Sequence, residues 1–278
     1  MTRIASLWAA AVGLLASTAT SLSLPVNPAS NLQPLRAELL PRQAGCGENT
    51  ETNRKCWKND WSINTDYEKI APTPPGDVKV VLRVHQGIIK GDGFEFMGMK
   101  INDSYPGPPI IANWGDNIEV TIINDLQNGN GTSIHWHGLR QFESFDQDGV
   151  PGVTQCPIMP GQSMTYRFKA TQYGTSWYHS HFSLQYTDGI AGPIIINGPT
   201  SKDYEEDLGA LMVTDWYHRS AFSLFQPFEL QTGAPPPTDS KLLNGKWGNF
   251  TCPAGATNCG QGEWFRQRLT PGKTYKCK

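Results

Sequence analysis

A succession of short extended segments from Val78 to Gly198 restricts the folds open to this chain. The segments are VKVVLRVHQGIIK, FEFMGMKIND, PIIANW, NIEVTIIND, SIHWHGL, SMTYRFKA, SWYHSHF and AGPIIING. Glycine, proline, asparagine and aspartate separate them, and no long helical periodicity intervenes. Roughly eight strands in about 120 residues predict an all-β protein, a Greek-key sandwich or barrel around one core.

The sequence after residue 200 predicts a second, smaller unit. The charged, turn-like stretch SKDYEED separates the first eight strands from a new strand pattern, ALMVTDWY. This change favours a domain boundary at SKDYEED. We therefore expect a first domain over 44–200 and the start of a second over 201–278. The second has room for about four or five short strands. Because its sheet would keep unpaired edges, we expect the chain to be a fragment that ends inside this domain.

Two histidine pairs of identical spacing lie in the predicted strands. The first pair is His135 and His137, and the second pair is His179 and His181. Side chains two residues apart on a strand point to the same face, about 6.5 to 7 Å apart along it. If the two strands are neighbours, about 5 Å apart, four imidazoles converge on one patch. The pattern predicts a metal site that holds more than one ion.

Imidazole ligands limit the metals that the site could bind but leave several candidates. Imidazole suits zinc, copper, iron and nickel, and the affinity for divalent ions peaks at copper. Zinc on a His-x-His strand stays an alternative. Two further histidines, His85 and His218, stand alone, and we expect them to be hydrogen-bonded side chains rather than ligands.

The N-terminus has the layout of a secretory leader. A short apolar run from Ile4 to Leu15 is followed by small residues, and the run is too short to span a membrane. We expect a signal peptide over 1–21 and a propeptide or disordered N-terminus over 22–43. The protein is therefore predicted to be secreted into the extracellular space.

An oxidising compartment implies that cysteines pair. Four of the six cysteines enclose two short polar loops and are predicted to form disulfide bonds. The predicted bonds are Cys46–Cys56 and Cys252–Cys259. Cys156 and Cys277 are left over. Three Asn-x-Ser/Thr sequons fit a glycoprotein, at Asn102, Asn130 and Asn249.

The charge balance indicates the kind of partner. The formal net charge is −2 and the isoelectric point is near 6.3. These values provide no basic surface field for nucleic acid or for an anionic membrane. We expect small molecules as partners, no nucleic acid, no membrane, and a monomeric protein.

Three stretches carry a family resemblance, namely SIHWHGL, DGVPGVTQCPIMPGQSMTYRF and GTSWYHSHFSLQYTDGIAGPIII. Together they resemble the first cupredoxin domain of a laccase, within the multicopper oxidase family. The likeness runs from about Cys46 to the end of the chain and is closest to ascomycete laccases, judged by CGENTETNRKCW, INDSYPGP and VTDWYH. It implies a cupredoxin-like β-sandwich over 44–200, followed by an incomplete second cupredoxin-like domain over 201–278.

The resemblance also implies a reaction and a cofactor. His135 would bind the type 2 copper of a trinuclear cluster, and His137, His179 and His181 its two type 3 coppers. In laccases, phenols and related donors lose one electron each, and four electrons reduce dioxygen to water, for example in lignin degradation. Asp148 in QDGVPG is similar to an acidic residue that assists proton delivery there. An equally weighted alternative is that Asp148 is a solvated aspartate of a turn, without a role in proton delivery.

Parts of the laccase pattern are missing from the sequence. The type 1 copper site of the family combines Cys and His ligands in a third domain, yet no cysteine here adjoins a histidine and no histidine follows His218. Cys156 matches a cysteine that in relatives pairs with one near their C-terminus. Ala234 and Pro235 resemble a loop that borders the phenol pocket. We expect a partial set of copper ligands, and no turnover of phenols by this chain alone.

Two other functions stay open at this point. A non-catalytic copper-binding cupredoxin fragment would keep the four histidines without a route for electron entry. A zinc-dependent lyase or hydrolase would use three histidines and leave one open position for water.

Overall fold

Two four-stranded β-sheets enclose the main core of the protein. The structure is a computed structural model, and it describes residues 45–58, 61–73, 75–230, 234–248 and 250–278. The signal peptide predicted over 1–21, the propeptide predicted over 22–43 and the sequon at Asn249 lie outside these residues.

The strands follow the predicted pattern. In chain order they are β1 (Cys56–Trp57), β2 (Trp61–Ser62), β3 (Asp77–Ile89), β4 (Phe96–Ile101), β5 (Ile110–Asn113), β6 (Asn117–Asn124), β7 (Ile134–Trp136), β8 (Ser163–Lys169), β9 (Gly174–Ser180), β10 (Ala191–Asn197), β11 (Glu206–Asp207), β12 (Val213–Trp216), β13 (Ser240–Leu243) and β14 (Tyr275–Lys276). The first sheet has the order β4-β3-β6-β8, and the second has the order β5-β10-β9-β7. All eight predicted segments form strands of these two sheets, which confirms the all-β sandwich.

Helices are short wherever the structure describes the chain. They are α1 (Ala221–Phe225), a 3-10 turn (Phe145–Gln147) and a π-helical turn (Gln226–Leu230). None of these described helices has the length and apolar character needed to cross a membrane.

The core lies between the two sheets because each strand buries alternate residues. In β6, Ile118, Val120 and Ile122 are at most 1% exposed, and their neighbours are more accessible. From the second sheet, Trp136 is fully buried and packs edge-on against Tyr166 of β8, with 5.2 Å between ring centroids. This packing sets the rotation of β7, so that the residues on either side of Trp136 face away from the core.

After residue 200, the described strands form two short pairs. β11 pairs with β14 in parallel, and β12 pairs with β13 antiparallel. Trp216 and Leu242 from the second pair pack with Ile89 and Phe96 of the first sheet in a small second core. All described residues fall within a single compact unit. The domain boundary near Ser201 stays a prediction.

Both predicted disulfide bonds are present. Cys46–Cys56 has a Cα–Cα distance of 5.5 Å and Cys252–Cys259 one of 5.7 Å, which lies in the usual range for disulfides. Cys156 and Cys277 are free and exposed.

The buried carboxylate of Asp92, just after β3, is hydrogen-bonded to two residues that follow β12. Asp92 is 0% exposed, and its Oδ2 accepts hydrogen bonds from His218 Nε2 at 2.7 Å and Ser240 Oγ at 2.5 Å. The ring of Phe94 stacks on His218 with 3.9 Å between centroids. His218 is therefore a hydrogen-bonded side chain of the interior, in agreement with the sequence-based expectation.

We expect Asp92→Ala to lower the free energy of unfolding by about 3 kcal/mol, because the His218 and Ser240 donors lose a fully buried acceptor. Denaturant unfolding followed by tryptophan fluorescence measures the change. Glu95→Ala is the control, since the Glu95 side chain is 45% exposed and its contact with Lys90 is a surface pair, worth less than about 1 kcal/mol. Equal losses in the two variants would contradict the importance of the buried carboxylate.

Candidate metal centre

The two histidine pairs lie on neighbouring strands. β7 and β9 are antiparallel, and His135 stands directly opposite His179 in their register. Just beyond the paired residues, the His137 N–H donates to the Trp177 carbonyl at 3.1 Å, and the His181 N–H to the Ser133 carbonyl at 3.3 Å. Because side chains alternate along each strand, all four imidazoles share the face opposite the core.

The four imidazole rings are close enough to share metal ions. We call His135, His137, His179 and His181 the four-histidine cluster. The ring centroid of His135 lies 5.4 Å from those of His179 and His181, and those of His137 and His179 are 5.5 Å apart. One ring nitrogen each of His135, His137 and His179 lies within 4.8 Å of the others. Metal to imidazole bonds are about 2.0 to 2.1 Å long, so these residues fit a metal with small side-chain adjustments.

The cluster is buried at one side and open at the other. His179 is 9% exposed, His135 is half-buried, and His137 and His181 are exposed. The Trp177 ring stacks on His179, with 4.0 Å between centroids and 28° between planes. A small ligand therefore has access from the side of the two exposed rings, while His179 is held by its protein surroundings.

Burial, as the largest cause, and the three neighbouring imidazoles together lower the pKa of His179 to about 4, against the opposite effect of a hydrogen bond to the Ser180 carbonyl. The ring is therefore neutral at neutral pH, which is the form that binds a metal. His179 Nδ1 lies 3.0 Å from the Ser180 carbonyl oxygen. Since that nitrogen donates, Nε2 carries the lone pair of the ring, and it lies 3.3 Å from Nδ1 of His137.

A loop after β7 orients His135. His135 Nδ1 donates to the Asp148 carbonyl at 2.8 Å, and one Asp148 carboxylate oxygen lies 3.2 Å from the same nitrogen. Trp136 Nε1 donates to the neighbouring Gln147 carbonyl at 2.9 Å. His135 Nε2 is thereby left free for a metal, as in other metal sites where the second ring nitrogen is bonded to a carbonyl or carboxylate.

The loop approaches β7 so closely that it requires glycine at position 149. Gly149 has φ +80°, and a Cβ there would lie 1.8 Å from the Ile134 carbonyl oxygen. This contact brings Asp148 beside His135. The QDG pattern was a signal of a turn, but no sequence pattern showed that the turn would rest on the histidine strand.

The structure thus brings the four predicted histidines together and places Asp148 beside His135. Their assignment to particular coppers stays a prediction. Ala234 and Pro235 are exposed, and their role at a phenol pocket stays a prediction as well. Sequence reasoning missed the Trp177 stack and a buried amide, Gln185, described below.

Comparisons with known proteins identify relatives of the chain. The multicopper oxidase family model matches residues 84–201. Laccase-2 of Botryotinia fuckeliana is 46% identical over 255 residues, which cover 90% of this chain and 43% of that protein. Dihydrogeodin oxidase of Aspergillus terreus is 49% identical over 231 residues, which cover 82% of this chain and 38% of that protein. The chain spans about two fifths of the length of these curated relatives.

A solved structure shares the fold. The crystal structure of the laccase from Botrytis aclada matches with a TM-score of 0.78 and 45% identity, over 83% of this chain and 42% of that one. The sandwich is accordingly of the cupredoxin-like type found in such enzymes, and copper binding follows from the family. On the evidence of the family model, the relatives and the shared fold, the chain belongs to the multicopper oxidase family.

Proposed function

We propose that the four-histidine cluster is part of the copper centre of a laccase-type oxidoreductase. The observation that supports this most is the placement of four imidazoles on one face of two paired strands. In this proposal His135 belongs to the type 2 copper, and His137, His179 and His181 belong to the type 3 coppers. Copper bound there would supply one-electron redox chemistry to a reaction that oxidises four phenol molecules and converts dioxygen, with four protons, to two water molecules.

The chain's own residues prepare the site for that chemistry. His135 and His179 each donate through Nδ1 to a main-chain carbonyl, so both present Nε2. The Asp148 carboxylate, half-buried and beside His135, is positioned to hold a proton that the reduction of dioxygen consumes. The exposed side of the cluster admits dioxygen, and the Trp177 ring covers His179.

Substrates and partners are part of the proposal. Small phenols and dioxygen are the substrates that fit the family. Two of the relatives are named for different activities, as a laccase and as a dihydrogeodin oxidase. The two disulfide bonds, the exposed sequon residues Asn102 and Asn130 and the leader-like N-terminus support a secreted, glycosylated protein. We propose that it acts outside the cell as a monomer, without nucleic acid or membrane partners.

The 278-residue chain by itself is expected to bind copper without oxidising phenols. No cysteine in it adjoins a histidine, so the usual blue-copper ligand set is not apparent. A non-catalytic copper-binding protein is therefore the second candidate. Zinc is the third, because three imidazoles with ring nitrogens within 4.8 Å of one another also suit a zinc ion.

Metal analysis combined with oxygen consumption tests the proposal. The chain is produced with copper and zinc both supplied, and its metal content, electron paramagnetic resonance spectrum and oxygen uptake with a phenolic dye are measured. We expect bound Cu(II) with nitrogen couplings from imidazoles and no oxygen uptake. Oxygen uptake in a one-to-four ratio to oxidised phenol would show that the chain alone suffices. Bound zinc with no copper would contradict the laccase assignment.

A further inference from the structure

A loop between β9 and β10 carries a buried amide that the copper chemistry does not use. The loop follows the second histidine pair, and within it Gln185 is 1% exposed. A buried amide costs free energy unless its polar atoms are hydrogen-bonded. The partners of Gln185 therefore indicate why the loop keeps a polar side chain in the interior.

Gln185 connects the start of β7 with the end of β9. Its Nε2 donates to the Gly131 carbonyl at 2.9 Å. Its Oε1 accepts one hydrogen bond from Thr132 Oγ1 and another from Ser180 Oγ, both at 2.8 Å. Thr132 and Ser180 are 0% exposed. One side chain thus bonds both strands of the four-histidine cluster at the same end.

The backbone alone holds this end of the cluster weakly. β7 lies at the edge of its sheet and, among the described strands, pairs only with β9 through three residue pairs. The hydrogen bond from the His181 N–H to the Ser133 carbonyl is 3.3 Å long, beyond the usual range. Ser180 stands between His179 and His181. A bond to the Ser180 hydroxyl therefore acts directly on the spacing of the second pair.

The far end of the loop is fixed as well. Asp188 is 4% exposed, and its carboxylate accepts from Ser220 Oγ and the Ala221 N–H, each at 2.7 Å. Its carbonyl accepts from the Met99 N–H at 2.8 Å. The loop is consequently a rigid support for Gln185 rather than a free surface segment.

We propose that Gln185 is a positioning residue that sets the distance between the first and second histidine pairs. This inference rests on the copper centre proposed above. Removal of an outer partner of a metal ligand typically weakens metal binding by about 10- to 100-fold. Gln185 acts through Thr132 and Ser180, so its loss displaces ligands of both strands together.

The test compares Cu(II) binding by the full chain and by Gln185→Met, which keeps the length of the side chain and removes its hydrogen bonds. Affinity is measured by competition with a chelator, and the copper hyperfine splitting by electron paramagnetic resonance at saturating Cu(II). We expect affinity to fall by about tenfold or more and the splitting to change even when the site is saturated. A purely structural role would leave the spectrum of the folded, saturated protein unchanged.

A second comparison applies if Gln185→Met does not fold. Thr132→Val removes one hydroxyl at nearly constant shape, and Thr132→Ser retains that hydroxyl. We expect the valine variant to show a smaller change of the same kind and the serine variant to match the parent.

Asn49→Leu is the control for loss of an interior amide. Asn49 is half-buried and its side chain also makes three hydrogen bonds, two to the Arg54 and Cys56 carbonyls and one from the Arg54 guanidinium, and none to the segments that Gln185 bonds. We expect it to lose stability and to keep the copper affinity and spectrum of the parent. Parent-like copper binding in both Gln185→Met and Thr132→Val, or an equal change in Asn49→Leu, would overturn the positioning role. A parent chain that binds no copper would instead overturn the copper centre itself.

Discussion

Replacement of His179 by alanine is expected to weaken Cu(II) binding by at least about 100-fold, because loss of a ligand costs more than loss of an outer partner. His179 is the most buried ring of the cluster and lies 5.4 Å from His135, 5.5 Å from His137 and 6.3 Å from His181 between centroids. Its pKa of about 4 keeps it neutral and ready to bind at neutral pH. Chelator competition on the folded chain measures the loss.

His85→Ala is the control for this experiment. His85 Nδ1 bonds the Gln86 carbonyl at 2.9 Å, and its Nε2 lies 3.2 Å from the Asp103 carboxylate. Since His85 lies on β3 in the other sheet, its loss is expected to leave Cu(II) affinity unchanged. Thermal unfolding of both metal-free variants establishes that each is folded. Undiminished copper binding by His179→Ala would refute the assignment of the cluster as the metal centre.

Gly149→Ala is expected to lower the free energy of unfolding by more than about 3 kcal/mol. Two effects add at this position. The backbone has φ +80°, which disfavours any residue with a Cβ. That Cβ would also lie 1.8 Å from the Ile134 carbonyl oxygen and 3.1 Å from the main-chain nitrogen of His135. The loop has to move away from β7, so the Asp148 carbonyl leaves His135. Denaturant unfolding measures the stability, and chelator competition the accompanying loss of copper affinity.

Gly152→Ala separates the two effects. Gly152 has φ +78°, almost the same as Gly149, but nothing lies within 4 Å of a Cβ there. It therefore reports the conformational cost alone, about 1 to 2 kcal/mol, and copper affinity is expected to stay at the level of the parent. A loss in Gly149→Ala no larger than that in Gly152→Ala would show that the close approach to β7 has no energetic consequence.

The agreement between sequence and structure is greatest where the signal is local. Period-two alternation depends only on neighbouring residues, and it placed the two members of each histidine pair on one strand face. The short polar loops between cysteines likewise predicted Cys46–Cys56 and Cys252–Cys259. The boundaries of the strands were also recognisable, since glycine and proline separate them.

Interactions across long sequence separations were beyond such patterns. Gln185 lies 53 residues from Thr132 along the chain, and no periodicity relates the two. The Asp148 carbonyl reaches His135 because a loop folds back onto β7. Gly149 in this loop has only the sequence signature of an ordinary turn, which does not predict contact with β7.

By itself, the sequence determined that the chain forms an all-β fold of the sandwich or barrel type and that each histidine pair presents its two rings on one strand face. These properties depend on the alternation of side chains along a strand and on turn-forming residues. Only the tertiary structure decided that His135 stands opposite His179, that burial keeps His179 neutral, and that Asp148 and Gln185 hold the two strands in place. Strand register, burial and loop docking arise when distant segments pack together, and for that reason local sequence patterns do not contain them.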